Sequence, residues 1–240
     1  MSRYLSVFAL AVRGSFYKVL WILAAAAALE TGLFLVSLRR GADSLEQAVE
    51  QSGAAYGMAL AFLAVTVFLW RTGCEYGSRQ GYTLRRLMVS ETAVFAGQAV
   101  YNVLCYLAVW ALQAGLTLLF CRLYVLNADP ASVSGQTVFL AYYRSSFLHS
   151  LLPLEEYSVW IRNVCLVLGL GIGGAYFPFR QRRGELGLAP VFLAAAVLLF
   201  FCRDLGDMGA DVFFSLVSMV LAGYEISQIW EIRREERNDG

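Results

Sequence analysis

The sequence predicts an all-α, polytopic membrane protein, and three observations predict it. First, 59% of the 240 residues are hydrophobic and 15% are charged, against about 25% charged in an average soluble domain. Second, mean hydropathy is +0.59, and the apolar residues fall in long runs. A hydrocarbon core roughly 30 Å thick needs about 20 mostly apolar residues of helix to cross it. Third, runs such as APVFLAAAVLLFF at 189–201 lack the alternation of a transmembrane barrel.

The runs divide into six expected spans in a single transmembrane domain over 1–240, at about 18–38, 54–70, 92–124, 157–177, 186–202 and 212–230. The first is preceded by SRYLSVFALAVRGSFYK, apolar with sparse basic residues at Arg3, Arg13 and Lys18. That pattern predicts an interfacial N-terminal helix lying along the membrane surface. Because the apolar run continues to Leu38, the segment reads as a retained anchor and not as a cleaved signal. The third run is long and projects past the lipid. A loop over 125–156 opens with Asn127-Ala128-Asp129-Pro130, which is turn chemistry. It continues as TVFLAYYRSSFLHSLLPL, aromatic and apolar enough to rest on the membrane surface. The short RDLGDMGAD turn joins the last two runs.

Six spans put both termini on one side, and basic residues choose the side. The N-terminus, the second loop, the fourth loop and the tail hold 13 of the 19 Lys and Arg residues. Both termini are therefore expected in the cytoplasm of a multi-pass cell-membrane protein. Trp21, Trp70, Trp160 and Trp230 fall near span ends, where amphipathic rings favour the interface. The formal net charge of +1 implies no global electrostatic partner and gives nucleic acid no support; membrane lipid is the partner that the apolar runs imply.

Enzyme chemistry finds little to work with. His149 is the only histidine, so no histidine pair exists for a zinc site. Cys74, Cys105, Cys121, Cys165 and Cys202 form no CxxC and no metal-like spacing. They read as small buried hydrophobes, although Cys121 and Cys202, near one face, permit a disulfide. There is no G-x-x-x-x-G-K-[ST] for nucleotide phosphates. GLGIGG at 169–174 matches G-x-G-x-x-G only literally, because it lies inside a span. Gly169 and Gly173 read instead as a GxxxG helix-packing pair, which could mark a subunit interface. No metal, cofactor or catalytic residue is expected in this chain.

The polar residues inside spans are the better candidates. Glu30 interrupts LAAAAALETGLFLV. An acid at mid-bilayer costs about 2.5–3.5 kcal/mol on insertion scales, so it should face protein or water. At 1.5 Å per residue from the inner span ends, Glu30 lies about 18 Å deep and Asn102 about 15 Å, with Gln98 one turn shallower. A Glu30–Asn102 hydrogen bond between the first and third spans is the expected structure, and a polar substrate path the alternative. Glu225, near the inner end of the last span, is expected to reach the interface.

Between the second and third spans stands CEYGSRQGYTLRRLMVSE. Leu84, Leu87 and Met88 fall at i, i+3, i+4, a helical stripe, flanked by Arg85 and Arg86. Glu75, then Gly81-Tyr82-Thr83-Leu84-Arg85-Arg86-Leu87, then Ser90, resembles the first cytoplasmic loop of type-two ABC export permeases. That pattern is an acidic residue, a Gly-Thr or similar, a basic residue with leucines, then Ser-Arg before the third span. The layout is similar over the whole chain. Such permeases serve in bacteriocin or lantibiotic immunity and in drug or lipid export. Departures are Glu91 where Arg is usual, Gln98 where Lys is common, and a short turn before the last span where re-entrant helices are frequent.

The resemblance implies a coupling helix gripped by a separate ATP-binding cassette ATPase subunit, which would hold the ATP and Mg. Leu84, Leu87 and Met88 would fill its groove, Arg79, Arg85 and Arg86 would meet acidic groups at its rim, and Glu75 is the motif's acidic residue in the same coupling set. It also implies a second permease subunit, identical or related. Two other classes stay open: an ATP-independent carrier or channel using Glu30 and Asn102, and a non-transporting assembly or sensor protein.

Overall fold

The computed structural model describes residues 3–42, 44–73, 91–127, 136–153, 156–182, 184 and 187–238. These form nine α-helices and no strand. Five helical stretches are long and apolar enough to cross a membrane, at Val12–Arg39, Leu45–Gly73, Thr92–Asn127, Tyr157–Gln181 and Met208–Glu231.

Helix α1 runs from Arg3 to Arg39 without a break. At 1.5 Å per residue it is about 55 Å long, well beyond a roughly 30 Å hydrocarbon core. The interfacial helix expected before the first span is thus no separate element. Its sequence contains no proline, and scattered basic residues do not interrupt backbone hydrogen bonding. Gly41, with φ +80, lets the chain turn. Ser44 then caps α2 (Leu45–Ser52) by accepting the Gln47 N–H at 3.2 Å. Gly53, left-handed at φ +68, closes α2 and makes the elbow into α3 (Ala54–Gly73). Ser37 ties α1 to α2 by donating to the Ala48 carbonyl at 3.0 Å.

Helix α4 (Glu91–Asn127) is the long third span. The following segment does not rest alone on a surface. It folds back as α5 (Thr137–Arg144) and α6 (Ser146–Leu151). Tyr142 donates to Thr117 at 3.1 Å and Trp110 to the Leu151 carbonyl at 3.2 Å. Burial pushes the Tyr142 phenol up, with the bond to Thr117 opposing, so it stays a neutral donor.

Helix α7 (Tyr157–Arg182) is the most enclosed of the spans, packing on α3, α4, α8 (Leu188–Phe200) and α9 (Met208–Asn238). Helix α8 has only 13 residues, about 20 Å, less than a full crossing. A Cβ on Gly187, at its start, would lie 3.6 Å from Tyr176. Just past its end, the Arg203 carbonyl meets Arg162. It therefore covers only the stretch of α7 between those two residues.

Three packed layers stack along the bundle. Tyr176, Phe179 and Ile229, with Phe95, lie where the last turns of α9 emerge. Phe62, Tyr106, Trp110, Leu166 and Phe201 fill the middle. Phe34, Leu45, Phe120, Tyr142 and Leu148 close the opposite end, with Phe34 stacked on Phe120 at 4.3 Å.

Candidate functional site: polar groups buried between the helices

Glu30 is buried at 2% exposure and Gln113 at 0%. The Gln113 Nε2 donates to Glu30 Oε1 at 2.6 Å, joining α1 to α4. Glu30 Oε2 and Gln113 Oε1 have no hydrogen-bond partner among the described residues. Helix α3 leaves room for the acid with a glycine: a Cβ on Gly57 would stand 2.7 Å from the Glu30 carboxyl carbon.

This corrects the expected partner, Asn102. The depth count took Thr92 as the membrane edge. From Thr92 to Gln113 is about 32 Å of helix, but from Lys18 to Glu30 only about 18 Å. Helix α4 therefore begins about 14 Å further out than the counted start of the first span, so its projection past the lipid includes its N-terminal turns. Asn102, fully buried, instead donates to the Gly171 carbonyl of α7 at 3.4 Å. Gln98 lies against the end of α3, where a Cβ on Gly73 would be 2.8 Å from its Nε2. Glu30 and Asn102 thus belong to two different helix contacts.

Gly169 and Gly173 face α9 within the same chain. A Cβ on Gly169 would collide with the Ser218 hydroxyl, and one on Gly173 would stand 3.3 Å from Glu225 Oε1. Ser218 donates to the Cys165 carbonyl of α7 at 2.8 Å. The two glycines let α7 and α9 approach closely, the packing role of small residues in membrane bundles.

The sequence reading missed the densest polar cluster. Arg162 is fully buried and pairs with Asp211 at 2.5 Å. Its other terminal nitrogen donates to the Arg203 carbonyl at 2.6 Å. Ser158 donates to the second Asp211 oxygen at 2.9 Å. Next to it, Asn163 donates to the Ser150 carbonyl at 3.2 Å. Four segments of chain are held together here. Glu225 was also misplaced: it does not reach an interface but is buried at 0% exposure, and neither carboxylate oxygen has a partner among the described residues. The signal for both acids was available. Asp211, Ser215, Ser218, Ala222, Glu225 and Ile229 recur at alternating steps of four and three, the spacing of one packed helix face, and all six are buried.

No group of three metal-capable side chains exists among the described residues. Cys105, Cys121, Cys165 and Cys202 are free thiols, so the disulfide that Cys121 and Cys202 permitted is not formed. His149 meets the Tyr143 ring edge-on. The coupling candidates Glu75, Arg79, Leu84, Arg85, Arg86, Leu87 and Met88 lie outside the described residues. The arrangement seen is one of helix contacts fixed by buried polar groups, in which two acids keep oxygens that meet no donor among the described residues. Compared with known protein families, curated proteins and solved structures, the chain finds no match.

Proposed function

We propose that this chain is the membrane permease subunit of an ATP-binding cassette transporter, working as an exporter in a bacterial cell membrane. On this reading the chain makes six membrane passes, the fifth over the apolar run 186–202 that contains the short α8, with both termini and the 74–90 loop in the cytoplasm. The observation that carries this reading is the loop sequence, Glu75 to Ser90, standing between two long apolar helices. The layout supports it: Phe95, near the start of α4, packs with Ile229 near the end of α9, and Lys18 of α1 sits over Phe68 of α3. The last turns of α3 and the first turns of α4 thus lie towards the end of the bundle where α9 finishes.

In this mechanism ATP hydrolysis occurs on a partner subunit, and the loop transmits its movement to α3 and α4. The permease pairs with a second copy or a related chain. Leu87→Asp is expected to abolish co-purification of the ATPase in mild detergent while membrane insertion is unchanged. Co-purification at wild-type yield would overturn the docking surface.

A second reading, an ATP-independent carrier, draws on the unpartnered Glu30 Oε2. It requires ion or solute flux in liposomes holding this chain alone, and that flux would displace the permease reading.

A further inference from the structure

The short α8 leaves a gap in the bundle wall. Beyond its last turn lies a cavity of about 430 Å³, bounded by the α2–α3 elbow, Phe147 of α6 and the end of α8. The volume is that of a small-ligand site. Its walls are apolar, with Met58, Phe62, Val197 and Phe201 among them, and two charged residues, Glu50 and Arg203, also line it. Both are exposed. The one ion pair among the described residues is Arg162–Asp211, so Glu50 and Arg203 pair neither with each other nor with another described residue.

The Arg203 corner is built, not incidental. Cys202 is the one non-glycine described residue with positive φ, at 51°, a conformation disfavoured for a residue with a Cβ. It is held there from below, because the buried Arg162 donates to the next carbonyl, that of Arg203, at 2.6 Å. At the other side Gly53 sets the elbow that brings Glu50 to the cavity.

We propose that this crevice seats one zwitterionic phospholipid of the surrounding membrane as a bound lipid. An acyl chain lies along Met58, Phe62 and Val197, the phosphate meets Arg203, and the headgroup amine meets Glu50. The opposite charges at one apolar opening select this occupant. An anionic lipid without an amine leaves Glu50 facing negative charge, and a water-soluble ligand leaves the apolar walls uncovered. The site needs only this chain and does not depend on an ATPase partner.

The test is native mass spectrometry of the full chain in detergent, titrated with phosphatidylethanolamine or phosphatidylglycerol. Wild type should hold one phosphatidylethanolamine about tenfold more tightly than phosphatidylglycerol, the effect of one charge-assisted hydrogen bond. Ala59→Trp, which fills the cavity, should lose the tight lipid. Glu50→Arg should lose the preference, because the amine then meets no acid and the anionic lipid no longer faces a negative charge, and Glu50→Arg combined with Arg203→Glu should restore it. Equal retention of the two lipids by wild type would mean ordinary annular lipid only and overturn the proposal. So would unchanged retention in Ala59→Trp. If that variant fails to fold, the charge-exchanged pair decides alone.

Discussion

Asp211 and Glu225 lie on one face of α9, about four turns apart, and α7 receives both. At Asp211 it offers Arg162, and Ser158 adds a second donor. At Glu225 it offers Gly173, which supplies space but no donor. The two acids are similarly buried, at 4% and 0% exposure, yet one is compensated and the other is not. Burial of an acid between membrane helices therefore has no single meaning. The Asp211 end is a structural clasp whose removal should be costly. The Glu225 end has no donor among the described residues, so a neutral side chain of the same size should serve folding there as well.

The largest effect should come from breaking the clasp. Arg162→Leu strands Asp211 without its counter-charge and frees the Arg203 carbonyl. Removing one partner of a buried pair costs about 3–5 kcal/mol. The SDS-unfolding midpoint should fall accordingly, and Arg162→Leu with Asp211→Leu should recover most of the loss. A single variant as stable as wild type would erase the contrast, because the ion pair would then matter no more than the lone acid.

The contrast also separates what was legible in the sequence from what was not. Apolar runs give the helical class and most span limits, because each run must match the bilayer alone. Helix α7 starts at the expected Tyr157, and α4 extends only a few residues past its expected ends. The α1 continuity was not legible, since an apolar helix with sparse charge reads the same along a membrane or through it. Partners were the least legible. A hydrogen bond between two spans depends on how far each helix slides along the other, and nothing in one helix fixes that. Glu30 finding Gln113 and not Asn102 is a matter of such sliding. Arg162 and Asp211 stand near run ends, where a charge is cheap, so their burial against each other left no mark in composition.

Glu30 sits between the two extremes, with one donor from Gln113 and one bare oxygen, and it sharpens the comparison. Gln113→Leu removes that donor and leaves the carboxyl as bare as Glu225. An unmet buried polar group costs about 1–3 kcal/mol, so the unfolding midpoint should shift by less than for Arg162→Leu. Glu30→Leu in the same background should return it. If Gln113→Leu is neutral, the hydrogen bond does not hold α1 to α4, and Glu30 joins Glu225 as an acid without a structural role.

The smallest effect, and the opposite sign, is expected at Glu225. Replacing it with Leu keeps the side chain against Gly173 while removing two oxygens that no described donor meets. The desolvation cost of the acid disappears, so the variant should be more stable by about 1 kcal/mol. Gly173 limits how far the new side chain can move, and a modest packing loss offsets part of the gain. Loss of stability would mean that a donor outside the described residues meets Glu225, and the difference between the two ends of α9 would vanish. If the chain works as the proposed permease, a gain in stability with transport lost would mean that an uncompensated acid is tolerated there because movement of α9 against α7 requires it, the trade between stability and activity expected of a working site.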